Sequence, residues 1–122
     1  MPALGDLEAQ VMRAIWARGQ QVTVRDIVGD LQRERPIAYT TVMTVMGNLR
    51  KKGWLRRRAD GRAYRYEPVL SGEEYGAGLM RQALAASGDR AAALMRFIEQ
   101  MSADEAGALA EAYRRLTRNS AT

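Results

Sequence analysis

Between Arg50 and Arg65 stand eight cations (Arg50, Lys51, Lys52, Arg56, Arg57, Arg58, Arg62 and Arg65) against one acid, Asp60. Just upstream, Thr40, Thr41, Thr44 and Asn48 recur at helical spacing, with Met43 among them. These residue types suit a double task. Short hydroxyl and amide groups exchange hydrogen bonds with base edges, and a methionine offers apolar contact to a thymine methyl. Guanidinium and ammonium groups neutralise phosphates and set register on a duplex. A charge run is more commonly a solvated face. This one is interleaved with Trp54, Leu55, Tyr64 and Tyr66, so it belongs to folded structure.

Other chemistry is largely absent. The 122 residues include no Cys and no His. That excludes a disulfide framework, a thiolate or imidazole zinc site, a Cys nucleophile and a Ser-His-Asp triad. Carboxylate metal sites and Lys- or Tyr-based chemistry stay open in principle, but no carboxylate pair or Lys–Tyr arrangement converges. No enzyme activity, cofactor or metal is therefore expected. No basic leader with an apolar run behind it is visible, and no apolar stretch approaches the ~20 residues that span a bilayer. The expectation is a cytoplasmic protein without membrane contact. The net charge of +5 is uneven: residues 1–70 carry +6 and residues 71–122 carry −1.

The elements that must position these groups follow from periodicity. Leu4, Leu7, Val11, Ala14 and Ile15 predict a first helix over 6–18, with Trp16 closing its end of the core. Gln21–Thr23 is a candidate minor strand. Thr23 with Asp26 forms a capping-box pattern for a second helix with Val24, Ile27, Val28 and Leu31 inside. After Pro36, a third helix is predicted over 38–52. Its Val42, Val45, Met46 and Leu49 point inward, and the opposite face carries Thr40, Thr44, Gly47 and Lys51. Thr41 and Asn48 flank that face on one side, Met43 and Arg50 on the other. A glycine inside a helix costs about 1 kcal/mol relative to alanine. Gly47 therefore marks either a close approach to another surface or a neutral exposed site.

Trp54–Arg58 and Arg62–Glu67 read as strands joined by a turn at Ala59-Asp60-Gly61. Arg56, Arg57, Arg58 and Arg62 would crowd its tip, where self-repulsion calls for an anion. Tyr64 either donates to a phosphate or braces the hairpin against the core. Pro68 marks a boundary. Beyond it, Ser71 with Glu74, then Asp89, then Ser102 with Glu105, cap three more helices, and the tail from Thr117 is expected to fray.

Three helices followed by a basic hairpin is the element order of a winged helix-turn-helix. The fold class is mainly α with a small β-hairpin, a winged helix-turn-helix over 1–70 followed by a helical dimerisation region over 71–122. The base-reading candidates are Thr40, Thr41, Met43, Thr44 and Asn48. The backbone candidates are Arg50, Lys51, Lys52, Arg57, Arg58, Arg62 and Tyr64. Fifty residues in three amphipathic helices are marginal alone. A homodimer that buries Leu79, Leu84, Met95, Ile98, Leu109, Tyr113 and Leu116 is the simpler solution, although these helices could instead fold back on their own winged domain. A two-fold dimer would also place two recognition helices roughly 34 Å apart, one duplex turn, matching a palindromic operator.

The run Ala38-Tyr39-Thr40-Thr41-Val42-Met43-Thr44-Val45, then Lys51-Lys52-Gly53, then Gly61-Arg62 with Tyr64-Arg65-Tyr66-Glu67-Pro68, resembles the BlaI/MecI family of penicillinase repressors. So do Leu7-Glu8, Val11-Met12 and Trp16, and the Leu-Gly-Asp-Leu-Glu start is similar to actinobacterial members. The resemblance implies a homodimeric transcriptional repressor on a TACA/TGTA-type palindrome, controlling β-lactam or cell-wall response genes. It also implies a sensor-linked protease as partner, cutting the dimerisation region. Phe97 matches the phenylalanine of the family's Asn-Phe cleavage bond, with Arg96 in place of the asparagine. The copper-responsive branch uses a C-terminal cysteine cluster, which this chain lacks. Thr40 and Met43 stand where staphylococcal members carry long basic residues, which implies an operator differing in detail. A winged-helix module binding protein or RNA is the competing reading.

Overall fold

A computed structural model describes residues 3–120. The elements are α1 (Asp6–Arg18), α2 (Val24–Gln32), α3 (Tyr39–Lys51), β1 (Leu55–Asp60), β2 (Ala63–Pro68), α4 (Gly72–Ala86), α5 (Arg90–Glu99) and α6 (Ala103–Ser120). The chain divides into two compact units between Gly76 and Ala77.

The first unit is a winged helix-turn-helix. Val11, Met12 and Ile15 of α1, Ile27, Val28 and Leu31 of α2, and Val42, Met46 and Leu49 of α3 meet in one core. Trp54, Leu55, Tyr66 and Val22 close it. Each large apolar side chain so buried contributes about 1.5–3 kcal/mol relative to exposure. Local chemistry sets the helix ends. The Thr23 hydroxyl accepts from the Asp26 N–H at 3.2 Å, and the Asp26 carboxylate accepts from the Thr23 N–H at 2.9 Å. Two backbone donors that α2 would otherwise leave unpaired are thereby satisfied. Helix α3 stops at Gly53, whose φ of 89° reverses the chain so that Trp54 drops into the core. The short strand expected at Gln21–Thr23 is a single bridge: Val22 and Tyr66 exchange backbone hydrogen bonds at 2.9 and 2.7 Å.

The hairpin differs from the sequence expectation in its turn. Asp60 pairs with Ala63, so the loop is Gly61-Arg62; β1 runs two residues further toward the tip than expected, and β2 starts one residue later. Gly61 has φ 64°, and no non-glycine residue among those described has positive φ. The turn thus needs the left-handed conformation only at its first loop position, as in a type II′ hairpin, and Asp60 stays in the strand. The arginines do not all crowd the tip. Arg56 lies opposite Glu67, Arg57 opposite Tyr66 and Arg58 opposite Arg65, leaving Arg62 alone in the loop.

The register also separates the two tyrosines. Leu55, Arg57, Ala59, Tyr64 and Tyr66 share one face. Tyr66, near the root, is 3% exposed, whereas Tyr64, two residues further out, is 45% exposed. Bracing of the hairpin against the core falls to Tyr66, because the wing has projected past the core by Tyr64.

Tyr75, in the first turn of α4, packs against this same core. Its ring stacks on Trp16 at 5.5 Å and meets Trp54 edge-on at 4.8 Å. The Trp16 indole N–H donates to the Leu70 carbonyl at 2.9 Å, which holds the segment between β2 and α4 beside α1.

The second unit consists of the rest of α4 with α5 and α6. Asp89 caps α5 by accepting from the Ala92 N–H at 3.0 Å, and Ser102 and Glu105 cap α6 reciprocally at 2.9 and 3.2 Å. The expected fraying from Thr117 is not found, since α6 runs to Ser120. The Thr117 hydroxyl donates back to the Tyr113 and Arg114 carbonyls at 3.0 Å, so it joins the helix and does not compete with it. Glu111 pairs with Arg114 and Arg115 at i+3 and i+4 on the solvent side.

Candidate nucleic-acid interface

Helix α3 presents its polar face as its inner face requires. With Val42, Met46 and Leu49 buried, the 3.6-residue period turns Thr40, Thr41, Met43, Thr44 and Asn48 outward, and all five are exposed. None of the five side chains makes a hydrogen bond or ion pair to another described residue. Their side-chain donors and acceptors are committed to nothing among the described residues. At Gly47, a Cβ would meet no atom within 4 Å. Nothing inside the fold requires that glycine, so intramolecular crowding is not the reason for it.

The cations fall into three groups. Lys51, Arg58 and Arg62 are exposed and have no acidic partner among the described residues. Arg57 and Arg50 are held by the fold without neutralisation. The Arg57 guanidinium sits over the Tyr64 ring, 4.0 Å from its centroid, a contact that orients the group and leaves its charge intact. Arg50 is half-buried, and its Nε is sheltered without a hydrogen-bond partner. The third group is paired. Lys52 Nζ donates to both Glu8 oxygens at 2.8 Å, tying the end of α3 to the start of α1. Arg65 binds Asp60 at 2.7 Å, and Arg56 lies 3.9 Å from Glu67. The Lys52 hydrogen bond, followed by one from the Gly5 N–H, holds the Glu8 carboxyl below the usual carboxylate range.

Among the positions expected to act on a backbone, Lys52 is thus directed to a structural partner, and Lys51, Arg58 and Arg62 remain uncompensated. No sequence signal marked the Lys52–Glu8 pair, because its members stand 44 positions apart. Two further residues share the surface with α3 and were not singled out. Arg25 is exposed at the start of α2, and Tyr39, the first residue of α3, is 48% exposed. Among the described residues, no group of three acidic side chains gathers as a metal site, and no helix is long and apolar enough to cross a membrane.

The C-terminal candidates lie together in the second unit. Leu79, Met95, Ile98, Leu109, Tyr113 and Leu116 are exposed and Leu84 is half-buried. Arg96 and Phe97 lie in α5, with Arg96 Nη1 3.6 Å from the Glu99 carboxylate.

The family model of the penicillinase repressors matches residues 4–115, nearly the whole chain. The chain belongs to the penicillinase repressor family. Its members are transcriptional repressors and not enzymes. The chain is 49% identical over 112 residues to the transcriptional regulator BlaI of Mycobacterium tuberculosis, covering 89% of this chain and 81% of that protein. The solution structure of the DNA-binding domain of the repressor BlaI matches it with a TM-score of 0.53 at 27% identity, covering 61% of this chain and 89% of that one. The Bacillus licheniformis BlaI monomer, solved in complex with the blaP half-operator, matches with a TM-score of 0.51 at the same identity and coverage.

Proposed function

We propose that this repressor binds DNA as a homodimer, with α3 in the major groove of each half of a palindromic operator and the wing along the flanking backbone. The observation that carries the reading is the outer face of α3. Thr40, Thr41, Met43, Thr44 and Asn48 are exposed and unengaged, and they adjoin cations that the fold leaves uncompensated. The half-operator complex of the B. licheniformis relative supports the same partner class. In this reading the five residues read base edges, Lys51, Arg57, Arg58 and Arg62 meet phosphates, and Arg50 supports the end of α3. Lys52 acts through Glu8 to hold the recognition helix in place. Tyr64 orients Arg57.

The homodimer rests on the second unit, where α4, α5 and α6 bury no residue. A second copy of the chain covers Leu79, Met95, Ile98, Leu109, Tyr113 and Leu116 with like surface. Residues 1–70 then read DNA and residues 71–122 assemble, apart from Tyr75, which packs with the winged core. A sensor-linked protease acting between Arg96 and Phe97 meets a condition: the bond lies within α5, so the helix must unwind before the backbone can enter a cleft.

Titration of the full chain against a TACA/TGTA-type palindromic duplex and a scrambled duplex, from low to high salt, tests the reading. Binding should weaken linearly in log–log form, with several counterions released and preference for the palindrome. Thr44→Ala should relax that preference at particular base pairs. A flat salt dependence, or equal affinity for both duplexes, refutes it.

A further inference from the structure

A cleft of about 560 Å³ opens between the start of α2, the start of α3 and the wing. Arg25 and Arg62 stand at its rim, with Tyr39, Met43 and Tyr64 along its walls. Arg25 is out of place by every intramolecular criterion. It occupies the first turn of α2, where the helix field disfavours a cation. It has no acidic partner among the described residues, although Asp26 is its neighbour in sequence. The Asp26 carboxylate is spent on the Thr23 N–H at 2.9 Å, with Arg18 3.9 Å away. The second rim cation, Arg62, is likewise unpaired, and the Tyr39 hydroxyl makes no hydrogen bond to a described residue. Two uncompensated cations and a free hydroxyl around one opening complement an anion. The opening is continuous with the exposed face of α3, because Met43 belongs to both.

We infer that this cleft seats one phosphate of the bound duplex's backbone, with Arg25 as its anchoring cation and the Tyr39 hydroxyl as a second donor. The inference rests on the DNA-binding reading above and adds α2 to the contact surface. In a helix-turn-helix, the helix preceding the recognition helix crosses the backbone. Here the cleft gives that crossing a definite seat. Arg62 reaches the same strand from the wing, so the phosphate is held from both sides. The walls of Met43, Tyr39 and Tyr64 accommodate the apolar edge of the adjoining sugar.

The test uses the full chain and the same palindromic duplex. Removing one phosphate contact lowers the log–log salt slope by about 0.9. Arg25→Ala removes one contact from each protomer of the dimer, so it should lower the slope by about 1.8 and lose roughly tenfold or more in affinity at low salt, equally for palindromic and scrambled duplexes. Arg25→Lys should keep the slope. Duplexes with one neutral methylphosphonate at each successive position then locate the contact. One position per half-site should weaken the wild type and leave Arg25→Ala unaffected. Unchanged thermal melting of Arg25→Ala shows that folding is intact. An unaltered slope in Arg25→Ala, or losses that multiply at every methylphosphonate position, overturns the inference. If Lys51→Ala lowers the slope while Arg25→Ala does not, the DNA-binding reading stands and this seat falls. If the wild type shows no salt-dependent duplex binding, both fall.

Discussion

The two units use amphipathic helices in opposite ways. In the first, α1, α2 and α3 turn Val11, Met12, Ile15, Ile27, Val42, Met46 and Leu49 onto one another until none retains exposed surface. In the second, α4, α5 and α6 carry a comparable set, Leu79, Met95, Phe97, Ile98, Leu109, Tyr113 and Leu116, and each stays more than two-fifths exposed. The difference lies in what closes each set. The first unit has a bridge from Val22, a turn of chain that buries Trp54, and a hairpin root that supplies Leu55 and Tyr66. The second has caps at its helix starts and no such lid. A helix stripe left open in this way is the feature on which the proposed homodimer rests.

Substitutions at matched apolar positions can break this comparison. Met46→Ala should destabilise the first unit by about 2–5 kcal/mol, read by thermal or denaturant unfolding, because it hollows a fully buried site. Leu109→Asp should leave that transition in place and convert a dimer to a monomer in sedimentation at micromolar concentration, with loss of palindrome affinity. If Leu109→Asp stays dimeric, the second unit assembles through a different surface. Gly47→Ala is smaller and opposite in sign on two axes. It should raise stability by about 1 kcal/mol, since the added methyl meets open space, and lower duplex affinity if α3 presses against the groove. A gain in both would make Gly47 neutral.

The smallest effect concerns pH. Glu8 and Asp30 have carboxyls held below their ordinary values, chiefly by hydrogen bonds from Lys52 and Arg18 respectively. A group whose folded-state value is depressed stabilises the fold above its unfolded value and loses that contribution as pH falls through the folded one. Melting temperature of the first unit should therefore decline on acidification through the carboxylate range. Glu8→Gln should flatten part of that decline and leave the neutral-pH melt slightly lower.

Local signals were legible in the sequence. Thr23 with Asp26, Ser71 with Glu74 and Ser102 with Glu105 each satisfy neighbours three positions apart, and the helix starts they predict agree with the structure. The outward placement of Thr40, Thr44 and Asn48 follows from one period within one helix. The features that were not legible depend on distance through space. Tyr64 and Tyr66 have the same identity and face, and only the reach of the core separates them. Lys52 looks like its neighbour Lys51 until α1 brings Glu8 beside it. Arg25 shows only as a cation in the first turn of its helix, because the rest of its setting is made by the start of α3 and the wing. The turn at Gly61-Arg62 was displaced by one residue because Asp60, a good turn former, is drawn into the ladder by pairing with Ala63 and Arg65.

The ring of Tyr75 between Trp16 and Trp54 has a spectroscopic consequence. The chain has two tryptophans, and both touch this one side chain. Indole emission therefore reports on the winged core and on the first turn of α4 docked against it. Far-ultraviolet dichroism follows all six helices. Where the two optical signals move apart on heating or dilution, the gap between them separates loss of helix in the second unit from loss of the winged core, without a label on either.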